Sequence, residues 1–282
     1  MNRNHLHVRD HGGEGPALLL LHGAGRSHAD WDSVAPHLLP HHRVLAVDLP
    51  GHGLSDPPAS GGWSFEETAE ALEDLLAAHD ALPVGHSLGG MLAAHLAATR
   101  PGVRAAVNLD GFWWGASGDA EARARIGAVV RAGAGAVNPA HLDQQAAYAA
   151  GLGIDPGVAE RSARAAAREL PDGGWQTLPL RDTALAMFDA LDALDLFALF
   201  RRAACPLLLV RAERSDPAAP PGMEWFDDFL AGYRVELTRA LADLTADRPD
   251  TVTVRGIDAT HAMTLEEPRA VAGLITEFTS RV

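Results

Sequence analysis

Hydrophobic and polar positions define two kinds of segment in the first third of the chain. Short continuous apolar runs, typical of strands buried on both faces, lie between longer segments whose apolar residues repeat at helical spacing. The runs that predict strands are 16–21, 43–48, 81–84 and 103–110, and the helical segments between them are 29–39, 64–79 and 91–98. Regular alternation of this kind predicts an α/β fold with a doubly wound, mostly parallel sheet.

One residue does not fit this pattern. Pro83 lies inside a predicted central strand, where a residue without a backbone N–H is disfavoured. We therefore expect this strand to be very short. Residues 6–8 predict a further strand at an edge of the sheet.

The pattern changes between residues 111 and 204. Strand signals disappear there, and alanine- and arginine-rich helical stretches take over at 119–131, 140–150, 156–170 and 182–202. Strand signals return at 206–210 and 251–254, with a helical stretch at 223–246 and a last helix from residue 268. We interpret 1–110 and 205–282 as one core domain and 111–204 as a helical cap inserted into it.

The clearest local motif is the hexapeptide 85–90, GHSLGG, between a predicted strand and a predicted helix. It contains the G-x-S-x-G pattern that places a serine on a sharp strand-to-helix turn. Gly85 and Gly89 lack a Cβ, so the backbone can approach closely around Ser87. The strand–turn–helix context favours a nucleophile over an ordinary glycine-rich turn.

Four further motifs follow other predicted strands. They are HGAG at 22–25, DLPGHGLS at 48–55, an acidic loop containing Asp216, and His261 after the last strand. With the GHSLGG turn, this set resembles the α/β-hydrolase fold family over nearly the whole chain, with serine, aspartate and histidine in that family's order. Asp48 and Ser55 are expected to hold a turn together.

The resemblance implies a catalytic triad. Ser87 would be the nucleophile, His261 the general base, and Asp216 the acid that orients the imidazole. Two other carboxylates compete for the last role: Asp110 ends the strand after the nucleophile helix, and Glu213 lies in the same loop as Asp216. We favour Asp216 at this stage, because its loop has room to turn towards His261.

The resemblance also implies an oxyanion hole formed by the backbone N–H groups of Ala24 and Leu88. Trp113 and Trp114 stand where the cap leaves the sheet, so we expect them to form a substrate-binding wall over the nucleophile. No metal site and no cofactor are expected, because the remaining histidines show no ligand spacing with a third group.

These residues indicate a serine hydrolase of carboxylic esters, lactones or thioesters that works through an acyl-enzyme. An acyltransferase or a cofactor-free perhydrolase of the haloperoxidase type would need the same triad, and a non-catalytic binding member of the fold is a further alternative. Dehalogenases and epoxide hydrolases of this fold use an aspartate at the position of Ser87. Carbon–carbon bond hydrolases usually carry a tryptophan after the histidine, where this chain has Ala262-Met263-Thr264.

Composition restricts the partners. The formal net charge of −14 argues against nucleic acid or an anionic membrane, so a small molecule with an acyl group is the expected partner. The single cysteine, Cys205, allows no internal disulfide and favours a cytoplasmic protein. No apolar run is long enough to predict a membrane span. The motifs do not indicate an oligomeric state.

Overall fold

The structure, a computed structural model, describes residues 5–113, 120–219 and 222–282. Its strands are β1 (Val8–Gly12), β2 (Ala17–Leu21), β3 (Arg43–Val47), β4 (Leu82–His86), β5 (Ala106–Leu109), β6 (Ala167–Glu169), β7 (Trp175–Thr177), β8 (Leu207–Ala212) and β9 (Val252–Ile257). Seven of them form one sheet in the order β1-β3-β2-β4-β5-β8-β9. Strand β1 is antiparallel to β3, and the other paired strands of this sheet are parallel.

Helices flank both faces of the sheet. The α-helices among the described residues are α1 (Ala35–Leu38), α2 (Phe65–His79), α3 (Leu88–Thr99), α4 (Ala120–Gly133), α5 (His141–Gly151), α6 (Pro156–Ala165), α7 (Arg181–Asp192), α8 (Leu196–Arg202), α9 (Glu224–Asp247), α10 (Met263–Glu266) and α11 (Pro268–Thr279). A short 3₁₀ helix, His28–Trp31, precedes α1, so the single helix expected over 29–39 is divided in two. The expected doubly wound α/β architecture is confirmed.

The continuous apolar run of β2 contributes side chains to a hydrophobic core on each face of the sheet. Alternate side chains of a strand point to opposite faces. Leu19 and Leu21 therefore pack into the core that includes α2, α3, α8 and α9. Leu18 and Leu20 pack into the opposite core, with α1 and α11. All four leucines are fully buried, which is why this strand has no polar face.

The expectation that the strand with Pro83 is very short was wrong, because β4 has five residues, as many as β2 and β3. Pro83 is the second of them and lies opposite Leu19 of β2. Pairing of β4 with β5 begins one residue later, at Val84. The position without an N–H therefore has a paired strand on one side only, which explains why a central strand tolerates proline there.

The region 111–204 differs from the expectation in two respects. It contains an antiparallel pair of short strands, β6 and β7, where we expected helices alone. Three-residue strands are too short to produce a recognisable alternation of side chains. The expected helix over 182–202 is two helices, because Asp195 caps the N-terminus of α8 by accepting from Ala198 N.

Among the described residues, no helix is long and apolar enough to cross a membrane.

Candidate active site

The turn after β4 holds Ser87 in a strained conformation. Its φ of 54° and ψ of −118° are rare for a residue with a Cβ, and they lift the side chain away from the start of α3. The neighbouring glycines are required: a Cβ at Gly85 would lie 1.9 Å from Gly89 O, and one at Gly89 would lie 2.2 Å from Leu21 O. The motif therefore encodes a sharp strand-to-helix turn with Ser87 at its apex.

His261 follows β9 and lies between two side chains from other strands. Its Nε2 is 3.1 Å from Ser87 Oγ, and its Nδ1 is 2.7 Å from Asp110 Oδ2. Asp110 comes directly after β5 and also has a positive φ of 50°. Its other oxygen accepts a hydrogen bond of 2.9 Å from Ala212 N, at the end of β8. A serine, a histidine and an aspartate thus form a continuous line of hydrogen bonds.

Asp216, which we expected to orient the imidazole, does not contact that ring. Its Oδ1 accepts instead from the backbone N of His261 and from the hydroxyl of Tyr148, both at 3.3 Å. Glu213, the third candidate, lies against Gly256 of β9. The reason is the strand order: β5 is the immediate neighbour of β4, so the residue after β5 emerges beside the turn that carries Ser87.

The electrostatics of this line are those of a half-buried acid–base pair. Burial alone would raise the pKa of Asp110, but the hydrogen bond and charge of His261 hold it below the ordinary value for aspartate. Burial likewise acts to lower the pKa of His261, and the hydrogen bond and charge of Asp110 outweigh it, so the pKa of His261 is raised. Asp110 is therefore ionised, and it stabilises the protonated imidazole.

The side chain of His86 holds the backbone of His261. Its Nε2 is 2.7 Å from His261 O, and the two imidazole rings pack with centroids 4.8 Å apart. Burial, with the nearby His261, lowers the pKa of His86 to about 4, so this ring is neutral and Nε2 carries the donated proton. The sequence assigned this residue only to shaping its loop, and its position next to Ser87 was the available signal for a closer role.

The two backbone N–H groups predicted to form the oxyanion hole belong to the residue after Ser87 and to the loop after β2. Leu88 is the first residue of α3, so its N–H belongs to the helical turn that has no acceptor within the helix. Ala24 lies in the loop after β2 and lines a cavity together with Ser87. That loop is tied to α3, because Gly89 N donates to His22 O at 3.1 Å.

Two cavities meet at Ser87 and His261. The loop-side cavity, of about 190 Å³, is lined by the loop after β2 and by α5 and α6. The aromatic cavity, of about 420 Å³, lies on the other side and is lined mainly by large apolar side chains: Met91, Phe112, Trp113, Phe226, Leu230, Tyr233 and Leu237. Trp113 is thus on the predicted wall and also packs edge-on against Phe188, with ring centroids 6.0 Å apart. Trp114 lies outside the described residues.

A buried ionic network that the sequence did not reveal forms one wall of the loop-side cavity. Arg26 binds Asp30 through Nε and Nη2, at 2.8 and 2.9 Å. The same guanidinium also donates to Gln145 of α5 and Ser162 of α6. The network therefore ties the loop after β2 to both helices over Ser87, but residues this far apart in sequence gave no motif.

One group of possible metal ligands lies among the described residues outside both cavities: His7, His28 and Asp48. The oxygens of Asp48 already accept from His28 N at 2.7 Å, His28 Nδ1 at 2.9 Å and Leu54 N at 3.0 Å. Ser55 donates to Asp48 O at 2.6 Å. These contacts hold the 48–55 turn together, which is the role expected for Asp48 and Ser55.

Comparison with known proteins agrees with this fold. Residues 16–230 match the family model of the α/β hydrolase fold. The lipase LipV of Mycobacterium tuberculosis is 33% identical over 227 residues, which cover 76% of this chain and 80% of that protein. A pimeloyl-[acyl-carrier protein] methyl ester esterase of Vibrio vulnificus is 46% identical over 85 residues, 30% of this chain and 32% of its own length.

Solved structures show the same relationship over the whole chain. The crystal structure of E-2-(acetamidomethylene)succinate hydrolase is 28% identical and superposes with a TM-score of 0.73, covering 99% of this chain and 96% of that one. The enol-lactonase of Burkholderia xenovorans LB400, at 19% identity and a TM-score of 0.68, covers 99% of this chain and 98% of its own and shares the fold. The chain therefore belongs to the α/β-hydrolase fold family of enzymes.

Proposed function

We propose that this enzyme hydrolyses a carboxylic ester, or the related lactone or thioester, through an acyl-enzyme on Ser87. The observation that carries the proposal is the line of hydrogen bonds from Ser87 Oγ through both ring nitrogens of His261 to Asp110. The names of its relatives, which include a lipase and a methyl ester esterase, support the same class of substrate.

The proposed reaction begins when His261 Nε2 takes the hydroxyl proton of Ser87 and Ser87 Oγ attacks the ester carbonyl. The N–H groups of Leu88 and Ala24 stabilise the oxyanion, each by about 3 kcal/mol. The imidazolium then gives its proton to the departing alcohol, which leaves the acyl group on Ser87. Water, deprotonated by His261, attacks the acyl-enzyme, releases the acid and restores Ser87.

In this proposal Asp110, not Asp216, is the acid of the triad. Asp110 fixes Nδ1 as the protonated nitrogen of His261 and stabilises the imidazolium. Asp216 is a positioning residue, because it holds the backbone N–H of His261 and the hydroxyl of Tyr148 on α5. The neutral ring of His86 holds the same backbone segment from the other side.

We also propose that 111–204 acts as a cap that limits the size of the substrate. Helices α5 and α6 contribute Gln145, Tyr148 and Ala159 to the loop-side cavity. Trp113, at the start of this region, lines the aromatic cavity. Substrate entry would then depend on movement of these elements, and such opening is often rate-limiting.

Labelling with a fluorophosphonate probe tests the proposed function directly. The wild-type enzyme should react at Ser87 with a stoichiometry of one, located by mass spectrometry of the peptide that contains 85–90. His261→Ala should react far more slowly, because no base removes the hydroxyl proton. Absence of labelling in the folded wild-type protein, together with no hydrolysis of esters, lactones or acyl thioesters, would contradict the proposal.

Replacing Trp113 with alanine should lengthen the preferred acyl chain. The indole lines the aromatic cavity, so its removal enlarges the space next to Ser87. The rates for p-nitrophenyl esters from acetate to decanoate should therefore shift towards longer chains, with little change for acetate. Leu54→Ala, at an exposed side chain that lines neither cavity, is the control. An equal loss on every ester would assign Trp113 to the core alone, through its contact with Phe188.

Dialysis against a strong chelator should leave kcat/KM unchanged. Each step of the proposed reaction uses a side chain or backbone group of this chain, and none uses a metal. The rate on an activated ester before and after dialysis is the measurement. A loss that zinc restores would contradict the proposal, and the same assay on His28→Gln would test the group formed with His7 and Asp48.

A further inference from the structure

The aromatic cavity contains two cations in addition to its apolar side chains. Arg211, in β8, and Arg234, in α9, both line it together with Ser87 and His261. Thr238 links the two arginines, because Arg211 Nη1 donates to Thr238 Oγ1 at 2.6 Å and Thr238 Oγ1 donates to Arg234 O at 2.7 Å. Arg211 thus reaches, through Thr238, the turn of α9 that carries Arg234, and both arginines line the cavity.

Neither guanidinium forms an ion pair within the part of the chain that the structure describes. The ion pairs found in residues 5–113, 120–219 and 222–282 include neither Arg211 nor Arg234. Their hydrogen bonds go to neutral oxygens: Arg234 donates to Ser215 Oγ and to Arg214 O, at 2.8 and 2.9 Å. In a chain with a net charge of −14, two half-buried arginines without a carboxylate partner are unexpected.

Three carboxylates line the same cavity, and each has contacts elsewhere. Asp110 binds His261 and Ala212 N. Asp216 accepts from Tyr148 and from the backbone of His261. The carboxylate of Glu213 lies against Gly256, on β9. The hydrogen bonds described above use one nitrogen of Arg211 and two nitrogens of Arg234. A guanidinium carries five N–H groups, so both arginines keep donors for a ligand.

The two cavities differ in the part of an ester that each would suit. The loop-side cavity is the smaller one, and its lining combines Arg26, Asp30 and His86 with apolar side chains, so it suits a short departing alcohol and the attacking water. The aromatic cavity is larger and mainly apolar, so it suits an acyl chain. A chain that extends from Ser87 into this cavity passes apolar side chains and the two arginines.

We propose that the preferred acyl group ends in a carboxylate, which Arg211 and Arg234 bind. Arginine matches a carboxylate through two parallel N–H···O bonds, and such a pair is strong when it is partly shielded from water. The substrate would then be the monoester of a dicarboxylic acid. This inference rests on the proposed function, because it assigns the acyl group of the same reaction.

Three matched series of p-nitrophenyl esters test it. Each series has acyl chains of four to ten carbons, ending in a methyl group, a carboxylate or a trimethylammonium group, with Ser87→Ala as the blank. At one chain length or more, the wild-type enzyme should show a kcat/KM for the carboxylate ester at least tenfold above that for the methyl-terminated ester. The trimethylammonium ester should be the poorest substrate of the three.

The arginine variants give the second readout. Arg211→Gln and Arg234→Gln should each lower the ratio of kcat/KM for carboxylate over methyl-terminated ester by roughly tenfold to a hundredfold, the usual effect of losing a hydrogen bond to a charged group. Arg239→Gln is the matched control, since Arg239 is exposed on the same helix and does not line the cavity. Its ratio should equal that of the wild-type enzyme.

Three outcomes would overturn the inference: preference for methyl-terminated esters at every length, preference for the cationic esters, or a ratio that neither arginine variant changes. Hydrolysis of neutral esters that depends on Ser87 would leave the proposed function standing in each case. Absence of Ser87-dependent hydrolysis in all three series would overturn the inference, and the proposed function would fall with it only if labelling of Ser87 and hydrolysis of lactones and acyl thioesters were absent as well.

Discussion

Replacing Ser87 with alanine should remove nearly all turnover of an activated ester. The variant cannot form the acyl-enzyme, and only the oxyanion donors and substrate binding remain, which leaves about 10³-fold over the uncatalysed reaction. Alanine has the same backbone freedom as serine at a φ of 54°, so the turn should keep its shape. Steady-state kinetics with p-nitrophenyl esters, at enzyme concentrations high enough to detect the residual rate, provide the measurement.

Ser280→Ala is a matched control for this variant, because Ser280 is an exposed serine at the end of α11. Thermal melting should show that both variants are folded. If folded Ser87→Ala keeps more than a few per cent of the wild-type rate, Ser87 is not the nucleophile and the acyl-enzyme route is wrong.

Asp110→Asn should reduce kcat by about 10⁴-fold, the effect that the same change has in the well-studied serine protease triad. The amide keeps the shape of the carboxylate but favours the wrong tautomer of His261. Its oxygen accepts from Ala212 N, so its NH₂ group faces Nδ1 and cannot accept a hydrogen bond from Nδ1–H. Asp216→Asn should cost far less. Its amide oxygen can still accept from His261 N and from Tyr148, which are the contacts that Asp216 makes.

The dependence of kcat/KM on pH separates a catalytic loss from a structural one. His261 acts as a base only when it is neutral, so activity falls as pH decreases through its pKa. Asp110 raises that pKa, so the acid limb of the wild-type profile should lie above pH 6.5, the ordinary value for histidine. Loss of the Asp110 charge lowers the pKa of His261, so the acid limb of the Asp110→Asn profile should move to lower pH.

Asp216 also acts to raise the pKa of His261, but less than Asp110 does, so Asp216→Asn should move the limb in the same direction by a smaller amount. Damage to the fold would instead lower the rate at every pH without moving the limb. A folded Asp110→Asn enzyme that stays active, beside an Asp216→Asn enzyme that loses thousands-fold, would return the role of the acid to Asp216.

Within the hydrolase core, the pattern of side chains was sufficient to predict the architecture. Strands buried on both faces require continuous apolar runs, as the fully buried leucines of β2 show. Such a run predicts a strand from the sequence alone. The nucleophile turn was equally readable, because a close backbone approach leaves glycine as the one residue that fits at positions 85 and 89. Each of these constraints acts on residues that are close together in the chain, so the sequence pattern shows it directly.

Short elements left no such signature. Strands β6 and β7 are three residues long, and no periodicity can be read from so few positions. The break between α7 and α8 depends on one capping contact of Asp195 within a stretch that is apolar on both sides. The positions of elements in this region follow from packing contacts, which a propensity for helix does not determine.

The sequence by itself determined the fold class, the turn that carries Ser87 and the loop that carries His261, because each follows from a local pattern or from the order of strands along the chain. Only the tertiary structure decided which carboxylate meets His261, and it also joined Arg26 to α5 and α6 and brought Arg211 and Arg234 into one cavity. The physical reason is distance along the chain. Asp110 and His261 are 151 residues apart, and their contact depends on β5 lying next to β4, which is a property of the assembled sheet.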